Sequence, residues 1–93
     1  NADFASANLT NVNFKYANLQ DAFLGKANLQ NADLHYVNLQ NAYLLDAINL
    51  TAEQLKESAT LYQTILAPFL KKELAENYPV DYERLMKKPE LEK

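Results

Sequence analysis

Residues 16–24 read YANLQDAFL, and residues 36–44 read YVNLQNAYL. The two stretches lie twenty residues apart and carry identical or similar side chains at every position. The agreement extends to Tyr16 with Tyr36 and to Phe23 with Tyr43, which stand outside the main apolar pattern. A buried core does not require like residues at outward positions, whereas stacking on successive layers favours them. The sequence therefore predicts layers that repeat every twenty residues.

Within this long period, the apolar residues follow a shorter period of five. Nine large apolar residues occur at this spacing without interruption: Phe4, Leu9, Phe14, Leu19, Leu24, Leu29, Leu34, Leu39 and Leu44. A small residue stands two positions before each of them: Ala2, Ala7, Val12, Ala17, Ala22, Ala27, Ala32, Val37 and Ala42. The position between is usually an amide or a carboxylate, and Phe23 and Tyr43 are the exceptions.

A period of five matches neither the 3.6-residue repeat of an α-helix nor the two-residue alternation of a strand. Either structure would leave about half of the large apolar residues in water, at roughly 1.5–3 kcal/mol for each one. A chain that turns a corner every five residues keeps all nine side chains inside. Four such sides close a square coil, and successive coils stack at about 4.8 Å.

These residues closely resemble the pentapeptide-repeat family, whose motif reads A-(D/N)-L-x-x. The resemblance covers the first half of the chain and implies an all-β solenoid, a right-handed quadrilateral β-helix over residues 1–48. It also implies that the nine large apolar residues and the small residues before them fill the interior. The departures from the motif are Phe23 and Tyr43 in the polar position and Val12 and Val37 in the small position.

Residues 49–93 are predicted to form a C-terminal α-helical cap. Asn49 interrupts the five-residue pattern, and Thr51 with Gln54 has the spacing of a capping box, which predicts a helix over about residues 52–58. Residues 58–67 recover the pattern out of phase, so we expect a further half coil there, with a continued helix as the alternative. Pro68 suits the start of an amphipathic helix of about ten residues, and Asp81 is expected to cap a final short helix.

No equivalent cap precedes the first repeat. An open end of a repeat structure exposes apolar interior and unpaired backbone edges, which favours association. We therefore expect either that further coils precede residue 1 in a longer natural protein or that two copies form a homodimer through the uncapped N-terminal end.

The composition excludes several classes of function. The 93 residues carry a formal charge of −3, no Cys and a single glycine, Gly25. Without Cys there is no disulfide framework and no thiolate metal site. No apolar run reaches the roughly 18–20 residues that span a bilayer, and no basic patch indicates nucleic-acid binding. We expect no membrane or nucleic-acid partner and no cofactor, with the cytoplasm as the default compartment. Gly25 is expected to relax a corner.

The sequence contains no constellation typical of catalysis. The one histidine, His35, has no further metal ligands at suitable spacing, so we expect a solvated surface side chain. No nucleophile–base pair is evident either. The chain is therefore predicted not to be an enzyme and to have no catalytic, metal-binding or cofactor-binding residues.

The predicted function is that of a non-enzymatic structural or protein-interaction module, whose partner is another protein. Exposed aromatic side chains mark interfaces, and the candidate interaction surface consists of Tyr16, Tyr36, Phe23 and Tyr43. The alternative is that the C-terminal helices fold back over one of these two pairs while the other pair merely stacks.

A second functional hypothesis comes from the same resemblance. Some pentapeptide-repeat proteins are similar to duplex DNA in shape and charge and bind DNA gyrase. Asp3, Asp21, Asp33 and Asp46 would supply the acidic surface here, against Lys15 and Lys26. About two coils make a tower on the order of 10 Å tall, which is short for a mimic of a charged duplex.

Overall fold

The computed structural model describes residues 2–89, and in its first half the chain turns every five residues. Each turn is closed by a backbone hydrogen bond across three residues, as from Ala7 N to Phe4 O (2.9 Å) and from Ala22 N to Leu19 O (3.0 Å). One residue in each of these turns has a positive φ: Ser6, Asn11, Tyr16, Asp21, Lys26, Asn31, Tyr36 and Asn41. Asn and Asp tolerate this left-handed conformation better than other side chains, which accounts for their frequency at the corners.

The amide or carboxylate before each large apolar residue stabilises the following turn. Its Oδ1 accepts a hydrogen bond from the backbone N–H two residues later, as Asn13 does from Lys15 (2.9 Å) and Asn38 does from Gln40 (2.9 Å). The same bond forms at Asp3, Asn8, Asn18, Asn28 and Asp33. This local bonding of Asx side chains to the backbone is typical of turns and gives the polar position of the repeat its physical role.

Successive layers are joined by parallel bridges between residues twenty positions apart. The bridges pair Asp3 with Phe23, Asn8 with Asn28, Asn13 with Asp33, Asn18 with Asn38, Phe23 with Tyr43, and Asn28 with Ile48. Each bridge pairs a single residue of one layer with a single residue of the next, because only three residues lie between one turn and the following turn. Residues 2–89 therefore contain no extended strand, contrary to the all-β expectation, and their only longer regular elements are three short helices.

Four five-residue segments make one layer, and equivalent segments of successive layers form four stacks that we call faces. The first face comprises residues 2–6, 22–26 and 42–46, and the second comprises 7–11, 27–31 and 47–48. The third comprises 12–16 and 32–36, and the fourth comprises 17–21 and 37–41. This division follows from the turns and from the bridges between layers.

The interior is filled by the large apolar residues of the repeat and the small residues that precede them. Leu19, Leu24, Leu29, Leu34, Leu39 and Leu44 are buried, as are the small residues from Ala22 onward. Leu9 is just buried, whereas Phe4 and Phe14 in the first layer are half-buried and contact each other edge to face at 5.9 Å. The first layer is less buried because no described layer covers its lower side.

The five-residue pattern breaks where the first helix enters. Asn49 is exposed with a positive φ, and Leu50 is the buried residue instead. Helix α1, Ala52–Lys56, begins with the predicted capping box: Thr51 Oγ1 accepts from Gln54 N (3.1 Å), and Gln54 Oε1 accepts from Thr51 N (2.9 Å). The helix ends before residue 58, slightly earlier than the sequence predicts.

After α1 the layers resume with a changed register. Thr60 bridges Asn38, and Ile65 bridges Tyr43, so the separation between paired residues is twenty-two rather than twenty. Thr60 Oγ1 accepts from Tyr62 N (3.1 Å), as an Asn does elsewhere in this position. The helical segment therefore inserts two residues and returns the chain to the fourth and first faces.

Helix α2, Pro68–Asn77, and helix α3, Pro79–Met86, pack against each other and against α1. Leu70, Leu74 and Leu85 are the buried residues of this pair. Helix α2 begins at Pro68 as predicted. The prediction that Asp81 caps α3 is wrong: α3 begins at Pro79, whose fixed φ suits a first helical position, and Asp81 lies in its first turn.

Arg84 of α3 connects the helices to the chain that follows α1. Its guanidinium donates to the carbonyl oxygens of Lys56 (3.0 Å), Ser58 (3.2 Å) and Ala59 (3.2 Å). The terminal carbonyls of a helix lack partners within the helix, so Arg84 supplies a bond where α1 ends. Within the described residues 2–89, no helix is long and apolar enough to span a membrane.

Candidate interaction surface

The first face carries a column of apolar side chains on its outer side. The rings of Phe23 and Tyr43 stack with centroids 4.8 Å apart and an interplanar angle of 23°. Ile65 bridges Tyr43 on the next layer, so the column has three successive apolar members. Phe23 is 43% exposed and Ile65 is 45% exposed, and Leu45 on the same face is 42% exposed.

The backbone of this column is occupied by bonds between layers. Phe23 N donates to Ala2 O (2.8 Å), and Phe23 O accepts from Phe4 N (2.8 Å). The N–H and C=O groups of Tyr43 and Ile65 have equivalent partners. The first face therefore presents side chains and offers no free backbone groups at these three positions.

The equivalent columns on the other faces are mainly polar. The second face stacks Asn8, Asn28 and Ile48, the third stacks Asn13 and Asp33, and the fourth stacks Asn18, Asn38 and Thr60. Among the bridged residues in 2–89, three consecutive apolar members occur on the first face alone. That face differs from the other three in the chemistry it presents to a partner.

The second aromatic pair lies at the corner that ends the third face. Tyr16 and Tyr36 stack with centroids 5.0 Å apart and an interplanar angle of 15°. They are 70% and 53% exposed, and both have a positive φ, 67° and 61°. Bulky side chains rarely adopt this conformation, whereas Asn11 and Asn31 occupy the preceding corner. The backbone alone does not account for tyrosine at these positions.

The C-terminal helices do not cover either aromatic pair. Phe23, Tyr16 and Tyr36 are exposed, and Tyr43 is half-buried. The structure brings the members of each pair into contact, but places one pair on the first face and the other at a corner. The four predicted residues therefore form two patches.

The side chain of His35 lies at the surface, 46% exposed, and has two acidic neighbours. Its Nδ1 lies 2.7 Å from Asp33 Oδ1, and its Nε2 lies 3.6 Å from Glu57 Oε1. The backbone N–H of His35 also donates to Asp33 Oδ1 (3.0 Å), and this bond is the main cause of a lowered Asp33 pKa. Glu57 accepts from Lys56 Nζ (3.0 Å), which raises the pKa of Lys56.

Asp33, His35 and Glu57 border a groove of about 590 Å³ between α1 and the second and third faces. Gln54 of α1 borders the groove, and its Nε2 donates to Leu29 O (2.8 Å) and Ala32 O (3.0 Å). These two bonds attach α1 to the repeats. Across residues 2–89, no group of three or more acidic or histidine side chains is arranged to hold a metal ion. The groove lies where Gln54 attaches α1 to the repeats.

The four aspartates of the predicted acidic surface accept hydrogen bonds within the fold. Asp3 accepts from Ala5 N (3.0 Å), Asp21 accepts from Asn41 Nδ2 (2.6 Å), and Asp46 accepts from Lys26 N (3.2 Å). Asp33 accepts from the backbone N–H of His35 (3.0 Å). Each carboxylate therefore has a structural role in a turn or between layers.

Sequence reasoning missed Ile65, Leu45, Glu57 and Arg84. Part of the signal for Ile65 was available, because it stands directly before Leu66 as Phe23 stands before Leu24. Its pairing with Tyr43 depends on the register shift. Glu57 and Arg84 gave no such signal, since their partners depend on how α1 and α3 fold back on the repeats.

The pattern also matches a known family model. The model described as pentapeptide repeats matches residues 1–24 and 13–48, with eight copies of the repeat, and so covers just over half of the chain. No curated protein matches the sequence.

Proposed function

Because the chain belongs to the pentapeptide-repeat family, we propose that it is a non-enzymatic protein-interaction module. In this proposal the repeats form a right-handed quadrilateral β-helix and residues 49–89 close one end as a cap, while residues 90–93 of the predicted cap lie outside the described residues. The parallel bridges at twenty-residue separation and the regular turns support the β-helix. The burial of Leu70, Leu74 and Leu85 supports the cap.

The observation that carries the proposal is the exposure of two stacked aromatic pairs. Aromatic residues are enriched at the centres of protein interfaces. Tyr16 and Tyr36 are held at corners in a backbone conformation that is unfavourable for tyrosine, and stacking contributes only about 0.5–1.5 kcal/mol in return. Binding to a partner gives these side chains a role that folding does not.

The mechanism of such a module is the presentation of side chains from a rigid support. Each exposed ring is restrained by a stacked neighbour, and each corner is restrained by a turn and by bonds to the next layer. Side chains that are already ordered lose less entropy on binding, by about 0.5–1.5 kcal/mol for each one. The fold therefore favours affinity without enlarging the contact area.

Site-specific photo-crosslinking tests this function. A photoreactive phenylalanine analogue is placed at Tyr16 or Tyr43 of the full-length protein in its native cells, with exposed Glu73 of α2 as the control position. We expect one protein to be crosslinked from Tyr16 or Tyr43 and not from Glu73. Equal crosslinking from all three positions, or none from either tyrosine, would overturn the proposal.

A DNA-mimicking binder of DNA gyrase is the alternative function. The aspartates that would imitate phosphates accept hydrogen bonds within the repeats, and Lys15 and Lys26 lie exposed among them. We therefore favour the interaction module. Inhibition of gyrase supercoiling by the full-length protein, lost on replacing Asp21 and Asp46 with Asn, would reverse this order.

A further inference from the structure

We propose that the first face binds the apolar stripe of an amphipathic α-helix from the partner protein, with the helix running along the direction in which the layers stack. The binding column is Phe23, Tyr43 and Ile65, with Leu45 beside it. This inference rests on the proposed function and names the kind of partner element that this patch fits.

The first argument is the satisfied backbone of the column. Phe23, Tyr43 and Ile65 use their N–H and C=O groups in bonds between layers, so a partner cannot add a strand to this face. A partner segment that buries its own backbone against an apolar surface must satisfy those polar groups internally. An α-helix does so, whereas an extended peptide does not.

The second argument is the spacing of the column. The ring centroids of Phe23 and Tyr43 are 4.8 Å apart, and Ile65 continues the column by one layer. Successive apolar side chains on one helix face, at i and i+4, lie about 5–6 Å apart, close to this repeat. Three members of the column therefore match two turns of a helix laid parallel to the stacking direction.

The third argument is the area that the face offers. At roughly 150–250 Å² for a whole aromatic side chain, the exposed parts of the column and Leu45 amount to on the order of 300 Å². A stable interface between two globular proteins needs about 800 Å² from each partner. This apolar patch by itself is too small for the stable association of two globular proteins, and it is of the size that one helix stripe covers.

A recess at the edge of the column provides an anchor position. It has a volume of about 250 Å³ and is bordered by Phe23, Tyr43, Gly25, Lys26 and Asp46. Gly25 has no side chain, which lets the Phe23 ring pack closely against the backbone at the wall of this recess. A pocket beside an aromatic surface is the usual place for a dominant anchor residue, so we expect one leucine or phenylalanine of the helix to enter it.

The test uses two labelled peptides of equal composition and about 18 residues. One has leucines at i, i+4, i+7 and i+11 among lysines and glutamates, and the other has the leucines at alternate positions. Fluorescence anisotropy with the full chain is expected to give a dissociation constant on the order of 10–100 µM for the helical peptide and at least tenfold weaker binding for the alternating one.

Variants then locate the binding site. Phe23→Asn and Ile65→Asn introduce the commonest residue at this position of the repeat, so these variants should fold, as circular dichroism would verify. We expect each one to weaken binding of the helical peptide at least tenfold. Val80→Ser, at an exposed apolar residue of α3, should change it less than twofold.

Equal binding of the two peptides, or equal effects of Val80→Ser and Ile65→Asn, would overturn the inference. Absence of binding by the helical peptide would also overturn it. If photo-crosslinking from Tyr43 still identified a partner, the interaction module would stand and only the helical partner element would fall. Absence of crosslinks from both tyrosines would instead remove the proposed function.

Discussion

The ring of Phe23 occupies the space that a side chain at Gly25 would need. A Cβ built at Gly25 would lie 2.8 Å from Phe23 Cζ and 3.0 Å from Phe23 Cε2. Gly25 does not have a positive φ, so the glycine is required by this close approach and not by the backbone conformation of a corner. The single glycine of the chain therefore makes room for the Phe23 ring in the aromatic column of the first face.

Gly25→Ala should accordingly disturb the stack of Phe23 on Tyr43. We expect a loss of about 0.5–1.5 kcal/mol in the free energy of unfolding, because the ring must move away from its partner. In a Phe23→Asn background the same substitution should be neutral or stabilising, since alanine lowers the entropy of the unfolded chain. Urea denaturation of the four proteins measures this coupling, and equal effects of Gly25→Ala in both backgrounds would contradict it.

Leu29 tests whether the five-residue pattern fills a common interior. It is 1% exposed, so Leu29→Ala should cost about 2–5 kcal/mol, and Leu29→Asp should unfold the repeats by burying an unpaired charge. Gln30 is the matched control, since it is exposed and adjacent, and Gln30→Ala should stay within about 0.5 kcal/mol. Thermal melting followed by circular dichroism compares them. A parent-like melting temperature for Leu29→Asp would show that Leu29 is not inside.

Arg84 tests the attachment of α3. Arg84→Ala removes the charged donor from the carbonyls of Lys56, Ser58 and Ala59, and we expect a loss of about 1–2 kcal/mol because water replaces the donor only in part. Arg84→Lys should recover little, since an ammonium group lacks the planar fork that reaches several carbonyls. Guanidinium denaturation measures both variants against Glu83→Ala, a change at the exposed neighbour. An equal effect of Arg84→Ala and Glu83→Ala would exclude this role.

The pH dependence of stability reports on Asp33. Its pKa is lowered from the usual 3.8, first by the hydrogen bond from the His35 backbone N–H and then by the His35 side chain. A carboxyl group with a lowered folded-state pKa stabilises the fold above its ordinary pKa, and this contribution is lost as the pH falls through the lowered value. Asp33→Asn removes this titration and keeps an Oδ1 acceptor.

Melting temperatures between about pH 5 and pH 2 should therefore fall less steeply for Asp33→Asn than for the parent. His35→Gln should keep most of the parent slope, because the backbone N–H of residue 35 remains. A slope for Asp33→Asn that equals that of the parent would refute the contribution of Asp33. A slope for His35→Gln as shallow as that of Asp33→Asn would assign it to the imidazole instead.

Local spacing in the sequence was sufficient to predict several elements. The turn every five residues, the twenty-residue layer and the burial of leucines such as Leu24 and Leu39 follow from it, because each depends on residues within one unit or on its regular repetition. The capping box of Thr51 with Gln54 and the start of α2 at Pro68 are likewise local, since hydrogen bonding within one turn and the fixed φ of proline decide them.

Only the tertiary structure decided which groups meet across a break in that repetition. Helix α1 shifts the register from twenty to twenty-two residues, and this shift alone places Ile65 on Tyr43. The packing of the helical segments against the repeats also brings Glu57 close to His35 and Arg84 close to the end of α1. Spacing along the chain specifies a contact only while the repeat continues. Beyond the inserted helix, the position of each group depends on how the apolar residues of the helices pack on the core.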